Sequence, residues 1–260
     1  MPDRWAHPLD EAQRRRRRAN AVVTPGFFEI DAVGWGLDLL RALGVTVAVA
    51  ATGYLLACLI GVIAAAAALA GTAPLRLVAA AYVAVLRGVP DILVIYLFYF
   101  GSSSLAAFVG ALLGSSGFVA APAFLTGAAA LAVVAGAYLC EVFRGAVQAL
   151  SKGEIEAARA VGMPPLLLLR RIVLPQAARH AVPGMGNVWL LVLKESALVS
   201  VIGLVELMRQ AQIGAGSTRR PFTFYIAAAA LYLAVTGLSG FAFRRAEARA
   251  MRGIVREAAR

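Results

Sequence analysis

The sequence predicts an all-α membrane protein that crosses the bilayer about five times. Three observations carry that expectation. Of the 260 residues, 61% are hydrophobic and only 15% charged, whereas soluble domains carry roughly 25% charged residues. Several apolar runs reach the ~20 residues that cross a hydrocarbon core as a helix. Basic residues gather at the ends of those runs, where Lys and Arg hold loops on one membrane face. The net charge of +11 is therefore read as an orientation signal, and no nucleic-acid partner is expected.

The first expected span covers about 43–70 and ends at the breaker Gly71-Thr72-Ala73-Pro74. The second covers about 75–101 and carries the insert Arg87-Gly88-Val89-Pro90-Asp91. The third covers about 122–143. The fourth, about 182–204, is the least apolar because Lys194 and Glu195 lie within it. The fifth covers about 222–243. Helices satisfy their own backbone hydrogen bonds in lipid, and these runs are too long and continuous for barrel strands. The domain reading is a basic, disordered extension at 1–34, a transmembrane domain at 35–243 with a cytoplasmic loop at about 146–179, and a basic cytoplasmic tail at 244–260. The extension holds no apolar core long enough for a cleavable signal.

Basic-residue placement gives the orientation. With the N-terminus outside, the inner segments hold thirteen Lys and Arg, including Arg76, six residues from Arg144 to Arg179, and six of the tail. The outer flanks hold four, or ten when Arg4 and the run Arg14–Arg18 are added. That run lies more than 20 residues before the first expected span, beyond the reach of the strongest bias. The connection at 102–121 is uncharged, as suits an outer loop. Cys58 and Cys140 fall inside apolar runs without metal-ligand spacing, and His7 and His180 are isolated. Two free thiols are expected, and no metal site.

Between Glu156 and Pro175 the chain reads EAARAVGMPPLLLLRRIVLP. Glu156, Ala157 and Ala158 are followed after three residues by Gly162, then after nine by Ile172, Leu174 and Pro175. Physically this is a helix with a small-residue face, a glycine stop that other residues resist, and a proline-led restart with Leu166–Leu169 as apolar anchors. Pro175 is expected to punctuate the chain before the fourth span. The stretch resembles the EAA loop of the membrane subunits of ATP-binding-cassette importers. An amphipathic helix lying in the interface is the alternative, but it does not require this spacing.

Other motifs extend the resemblance over about 40–243. They are Leu86-Arg-Gly-Val-Pro90, Tyr138-Leu-Cys-Glu-Val-Phe-Arg-Gly145, Ser151-Lys-Gly153 and Leu174-Pro-Gln-Ala177, with Leu193-Lys-Glu-Ser-Ala-Leu-Val-Ser-Val-Ile-Gly203 beyond them. Together they look like the polar amino acid permeases of histidine, glutamine, arginine and opine transporters. Pro90–Gly101, Met208–Ile213 and Ser217–Tyr225 are similar to the Q-type subunits of basic amino acid and opine systems. Here Glu154-Ile155 stands where many members have Gly-Gln.

The resemblance implies a type I ABC importer permease in a bacterial inner membrane, with five spans, the N-terminus outside and the C-terminus cytoplasmic. It implies ABC ATPase subunits that bind ATP and Mg and dock on Glu156, Ala157, Ala158, Gly162, Ile172, Leu174 and Pro175. It further implies a second permease, the same or related, an extracytoplasmic substrate-binding protein, and a polar, basic amino acid or opine as substrate. No cofactor is expected in this chain. Nor is it expected to be an enzyme, since GxxxxGK[ST] is missing.

Ionisable groups inside spans cost ~2.5–3.5 kcal/mol each and usually face a protein interior or water path. Asp91, Glu141, Lys194 and Glu195 qualify. Asp91 after Pro90 lines a cavity for a cationic substrate, or pairs with Arg87 one turn back if the helix continues. Lys194 and Glu195 are adjacent and cannot pair on one face. Glu141 and Arg144 are spaced for an ion pair. The candidate substrate path is thus Asp91, Lys194 and Glu195. A secondary transporter driven by an ion gradient is the rival reading, against which stand five spans and no repeat pair.

Overall fold

The computed structural model describes residues 34–112 and 122–251. The N-terminal arginine run and the last nine tail residues lie outside the described residues. All regular elements within them are helical. A long helix α1 (Trp35–Ala70) is followed by α2 (Ala73–Gly88) and α3 (Asp91–Leu112), then α4 (Ala123–Gln148). A short α5 (Lys152–Ala160) leads to α6 (Pro165–Leu168), a π-helical turn (Leu169–Val173) and α7 (Leu174–Glu195). A 3₁₀ segment (Ser196–Ile202), α8 (Leu207–Thr218) and α9 (Pro221–Ala250) complete the order.

Four stretches are long and apolar enough to cross a membrane by themselves: 35–69, 123–148, 165–202 and 221–250. The expected second span is not one helix. It breaks between α2 and α3 with a bend of 107°, because Pro90 has no N–H to give and its ring excludes the preceding turn. Val89 makes the last helical bond of α2, to the Val85 carbonyl at 3.0 Å. Sequence boundaries also move. α3 continues through Leu112 into the expected outer connection, where Ser102 returns its hydroxyl to the Tyr99 carbonyl at 3.1 Å. Such back-bonding lets serine stay within a helix.

The central contact is α1 against α4. A Cβ placed at Gly53 would lie 3.0 Å from the Leu131 Cβ, and one at Gly61 would lie 2.7 Å from the Leu139 Cβ. Both numbers rise together, so the two helices run parallel. The chain between them must then cross the bilayer once, which makes the broken α2–α3 pair a single span and the total five. On the other side, Gly184 of α7 abuts Val142 and Gly127 of α4 abuts Val199, an antiparallel register. Small residues permit such approach where lipid tails offer no hydrophobic drive.

Burial follows this order. The best apolar window of α4 is 67% buried and that of α9 only 6%, so α4 is the axis and α9 the rim. The core joins Val49, Ala57, Leu131, Leu139, Val192 and Val199. Tyrosine hydroxyls find backbone partners across the bundle: Tyr54 donates to the Met185 carbonyl at 3.0 Å and Tyr82 to that of Val133 at 2.6 Å.

A buried carboxylate fastens the other end. Glu206 is 0% exposed and caps α8, accepting from Met208 N–H at 3.0 Å and Arg209 N–H at 2.8 Å. Thr46 of α1 and Tyr232 of α9 donate to the same carboxylate at 3.2 and 3.1 Å. Burial pushes this carboxyl above its ordinary range, against the backbone donors that hold it down. Glu206→Ala strands the Tyr232 hydroxyl and two N–H groups, while Thr46 falls back on the Ala42 carbonyl at 3.1 Å, so a loss of about 2–4 kcal/mol is expected. Glu206→Gln should lose less than half of that. Thermal unfolding of the purified assembly measures both; an unchanged midpoint for the alanine variant would contradict the role.

Candidate functional site

Two places concentrate function-bearing residues: the turn between α5 and α6, and the polar break inside the membrane. At the first, α5 closes with a Schellman pattern. Gly162 donates to the Arg159 carbonyl at 2.9 Å and Met163 to that of Ala158 at 3.1 Å. Gly162 has φ 78°, a left-handed value that costs other residues roughly 1–2 kcal/mol. Pro164 and Pro165 follow and set the start of α6, as the sequence predicts. Pro165 occupies the first turn, where its missing N–H costs nothing.

The tip is apolar and uncovered. Val161 is 80% exposed and Leu166 68%, with Leu167 and Leu169 beside them. Leu168 turns the other way and is buried, so the anchor run is not uniform. Glu156 and Ala157 lie on the open face of α5, while Ala158 is buried. Ile172 is half-buried; Leu174 and Pro175 are exposed. Ile155 packs onto a small cluster of Ala146, Leu150, Ala177 and Ala181. The amide of Gln176 donates to Glu154 at 2.5 Å, tying α5 to α7. That clamp, and the value of Glu154, escaped sequence reasoning, since 22 residues separate the partners.

Pro175 does not interrupt the chain before the fourth span. Helix runs on from Pro165 to Glu195 because the intervening turn is wider: Leu174 N–H reaches back to the Leu169 carbonyl, five residues. A π turn spares the helix the N–H that Pro175 lacks. The helical run that contains the fourth span thus begins at Pro165, within the loop, well ahead of residue 182.

At the second place, the break in α2–α3 overturns the Arg87–Asp91 pairing, since the helix does not continue between them. The Arg87 guanidinium lies 5.3 Å from the ring centroid of Tyr138, a cation–π arrangement. Asp91 instead lies close to Glu195, which ends α7. One oxygen of Glu195, Oε2, is buried without a hydrogen-bond partner among the described residues. Asp91, Tyr138 and Glu195 therefore converge with Arg87 near them. Lys194 is exposed. Glu141 and Arg144 form the expected pair, at 2.5 and 3.2 Å. Nothing local in the sequence marks Tyr138 for this place, because Arg87, Asp91 and Glu195 are all distant from it in the chain.

The family model described as "Binding-protein-dependent transport system inner membrane component" matches residues 57–253. An octopine transport system permease protein of Rhizobium meliloti is 64% identical over 223 residues, covering 86% of this chain and 94% of that protein. A nopaline transport system permease protein of Agrobacterium fabrum is 47% identical, covering 85% and 94%. An arginine ABC transporter permease protein of Escherichia coli is 38% identical, covering 69% and 80%. Among solved structures, an amino acid ABC transporter crystallised with histidines aligns at TM-score 0.73 and 32% identity, covering 85% of this chain and 99% of that one. An inward-facing methionine ABC transporter aligns at TM-score 0.66 and 21% identity, covering 86% and 100%, and supports the fold alone.

The loop geometry predicts a labelling pattern for the isolated chain. With Cys58 and Cys140 replaced by alanine, cysteines at Val161 and Leu166 should react rapidly with a membrane-impermeant maleimide. Cysteines at Ala158 and Leu168 should react slowly. Equal rates at all four positions would refute the inward and outward assignment.

Proposed function

This chain belongs to the family of binding-protein-dependent transport system inner membrane components, and we propose on that premise that it forms the translocation path of an ATP-driven importer for opines or basic amino acids. It is a non-catalytic permease subunit. Its substrate class is supported by the names of its relatives, which include octopine, nopaline and arginine permeases. Those three compounds share a guanidinium group. Asp91 and Glu195 offer that cation carboxylate oxygens beside the helix break, with Tyr138 as a wall. Lys194, next to Glu195 and exposed on this chain, is open to substrate or to a second permease.

The observation that carries the coupling reading is the uncovered apolar tip at Val161, Leu166, Leu167 and Leu169. Such a knob, stiffened by the Schellman closure, fits a groove on a soluble partner. We assign that partner as an ABC ATPase that binds ATP and Mg, with Glu156, Ala157 and Gly162 at the contact and Ile172, Leu174 and Pro175 at its base. Two permeases, this chain with itself or with a related one, enclose the path. A binding protein delivers substrate from outside. The basic-residue distribution supports an N-terminus outside and a cytoplasmic C-terminus. ATP binding draws the two knobs together. Loaded binding protein favours the outward-open state only through its higher affinity for that state. The gradient-driven rival finds no support in this family.

Two measurements test this. Gly162→Asp and Glu156→Lys should abolish transport and ATPase co-purification while leaving membrane insertion intact, the former because a non-glycine at positive φ costs roughly 1–2 kcal/mol and distorts the knob. ATPase recovery by Gly162→Asp at wild-type yield would exclude the coupling role. Asp91→Asn should reduce uptake of guanidinium substrates by about tenfold or more, the scale of one lost charge-assisted contact, and affect neutral amino acids less. Equal loss for both classes would assign Asp91 to structure.

A further inference from the structure

A separate cleft of about 400 Å³ opens between α2 and the C-terminal part of α4. We propose that it binds the phosphate of an anionic phospholipid, held chiefly by Arg76. Three arginines line it, Arg76, Arg87 and Arg144, with Glu141 as the single carboxylate. Glu141 is engaged by Arg144 through two hydrogen bonds, and Arg87 leans on Tyr138. Arg76 has no ion-pair partner among the described residues. The cleft therefore keeps an excess of two positive charges.

The placement favours a lipid. Arg76 lies in the first turn of α2, straight after the turn that closes α1, so it stands at the membrane surface. There a cation opposes the positive end of its own helix, a cost that an anion at the same spot removes. Around it Leu75, Leu77 and Val78 are exposed, at 51, 71 and 65%, which suits acyl chains and not water. Ala79, Ala80 and Ala84 leave the floor of the cleft unfilled. Arg87 lines the same cleft but leans on Tyr138, so it adds positive potential there without competing for the headgroup. Arg144 belongs to the helix that leads into the coupling loop, so this is the same membrane surface as the knob. A guanidinium meets phosphate with two parallel hydrogen bonds, and basic pockets between helices at that depth select anionic headgroups.

Native mass spectrometry of the full importer complex, extracted in mild detergent and supplied with equal phosphatidylglycerol and phosphatidylcholine, tests the assignment. Wild type should retain phosphatidylglycerol preferentially. Arg76→Gln should retain roughly fivefold less, the worth of one arginine near an anionic surface, and Arg76→Glu less again, while Arg76→Lys should keep most of it. Arg76 is exposed, so these variants assemble; complex yield on size exclusion checks that. Equal retention by wild type and Arg76→Gln overturns the proposal. Displacement of the lipid by millimolar inorganic phosphate would overturn the lipid source in favour of free phosphate. Displacement by arginine would overturn it too, and assign the cleft to the substrate path.

Discussion

Everything in this fold rests on how closely α1 can approach α4. In lipid the hydrophobic effect does not hold helices together, because tails are as apolar as leucine. Dispersion contacts take over, and these fall away within an ångström of separation. Gly53 and Gly61 bring the α1 backbone against Leu131 and Leu139, and Ala50, Ala57, Ala128 and Ala135 fill the same seam. Because this contact is parallel, the stretch between must cross the membrane in one pass. A broken helix is therefore built into the topology at the place where the acidic residues meet.

Much of this was legible in the sequence, for reasons of length and polarity. Five apolar stretches announce five crossings, and Gly71 with Pro74 announces the end of α1. The motif Glu156–Gly162 announces a helix with a glycine stop, which Gly162 provides with φ 78°. The adjacency of Lys194 and Glu195 announces different faces, and one is exposed while the other turns in.

What stayed hidden has a physical cause in each case. Pro175 reads as a breaker because local rules price only its missing N–H, and they do not see a π turn that removes the demand for it. Arg87 and Asp91 read as an i, i+4 pair only while the helix is taken as continuous. Glu206 looks like a loop residue because its partners Thr46 and Tyr232 lie 160 and 26 residues away. The α1–α4 register is invisible because glycine and alanine are common throughout both helices, and nothing local distinguishes the two glycines that touch.

The shape of α5 favours the proposed docking knob over a helix lying on the membrane. An interfacial helix needs a continuous apolar face to sink among acyl chains. The only large apolar side chain of α5 is Ile155, and it is already packed on the bundle, leaving Lys152, Glu154, Glu156 and Arg159 outward. The uncovered apolar side chains sit at the tip instead, on Val161 and the start of α6, where a bilayer cannot reach them all without burying the charges of α5. From that tip the chain continues as helix through the π turn to Glu195, beside Asp91. Under the proposed docking, a load applied at the knob would travel along this run of helix to the acidic pair.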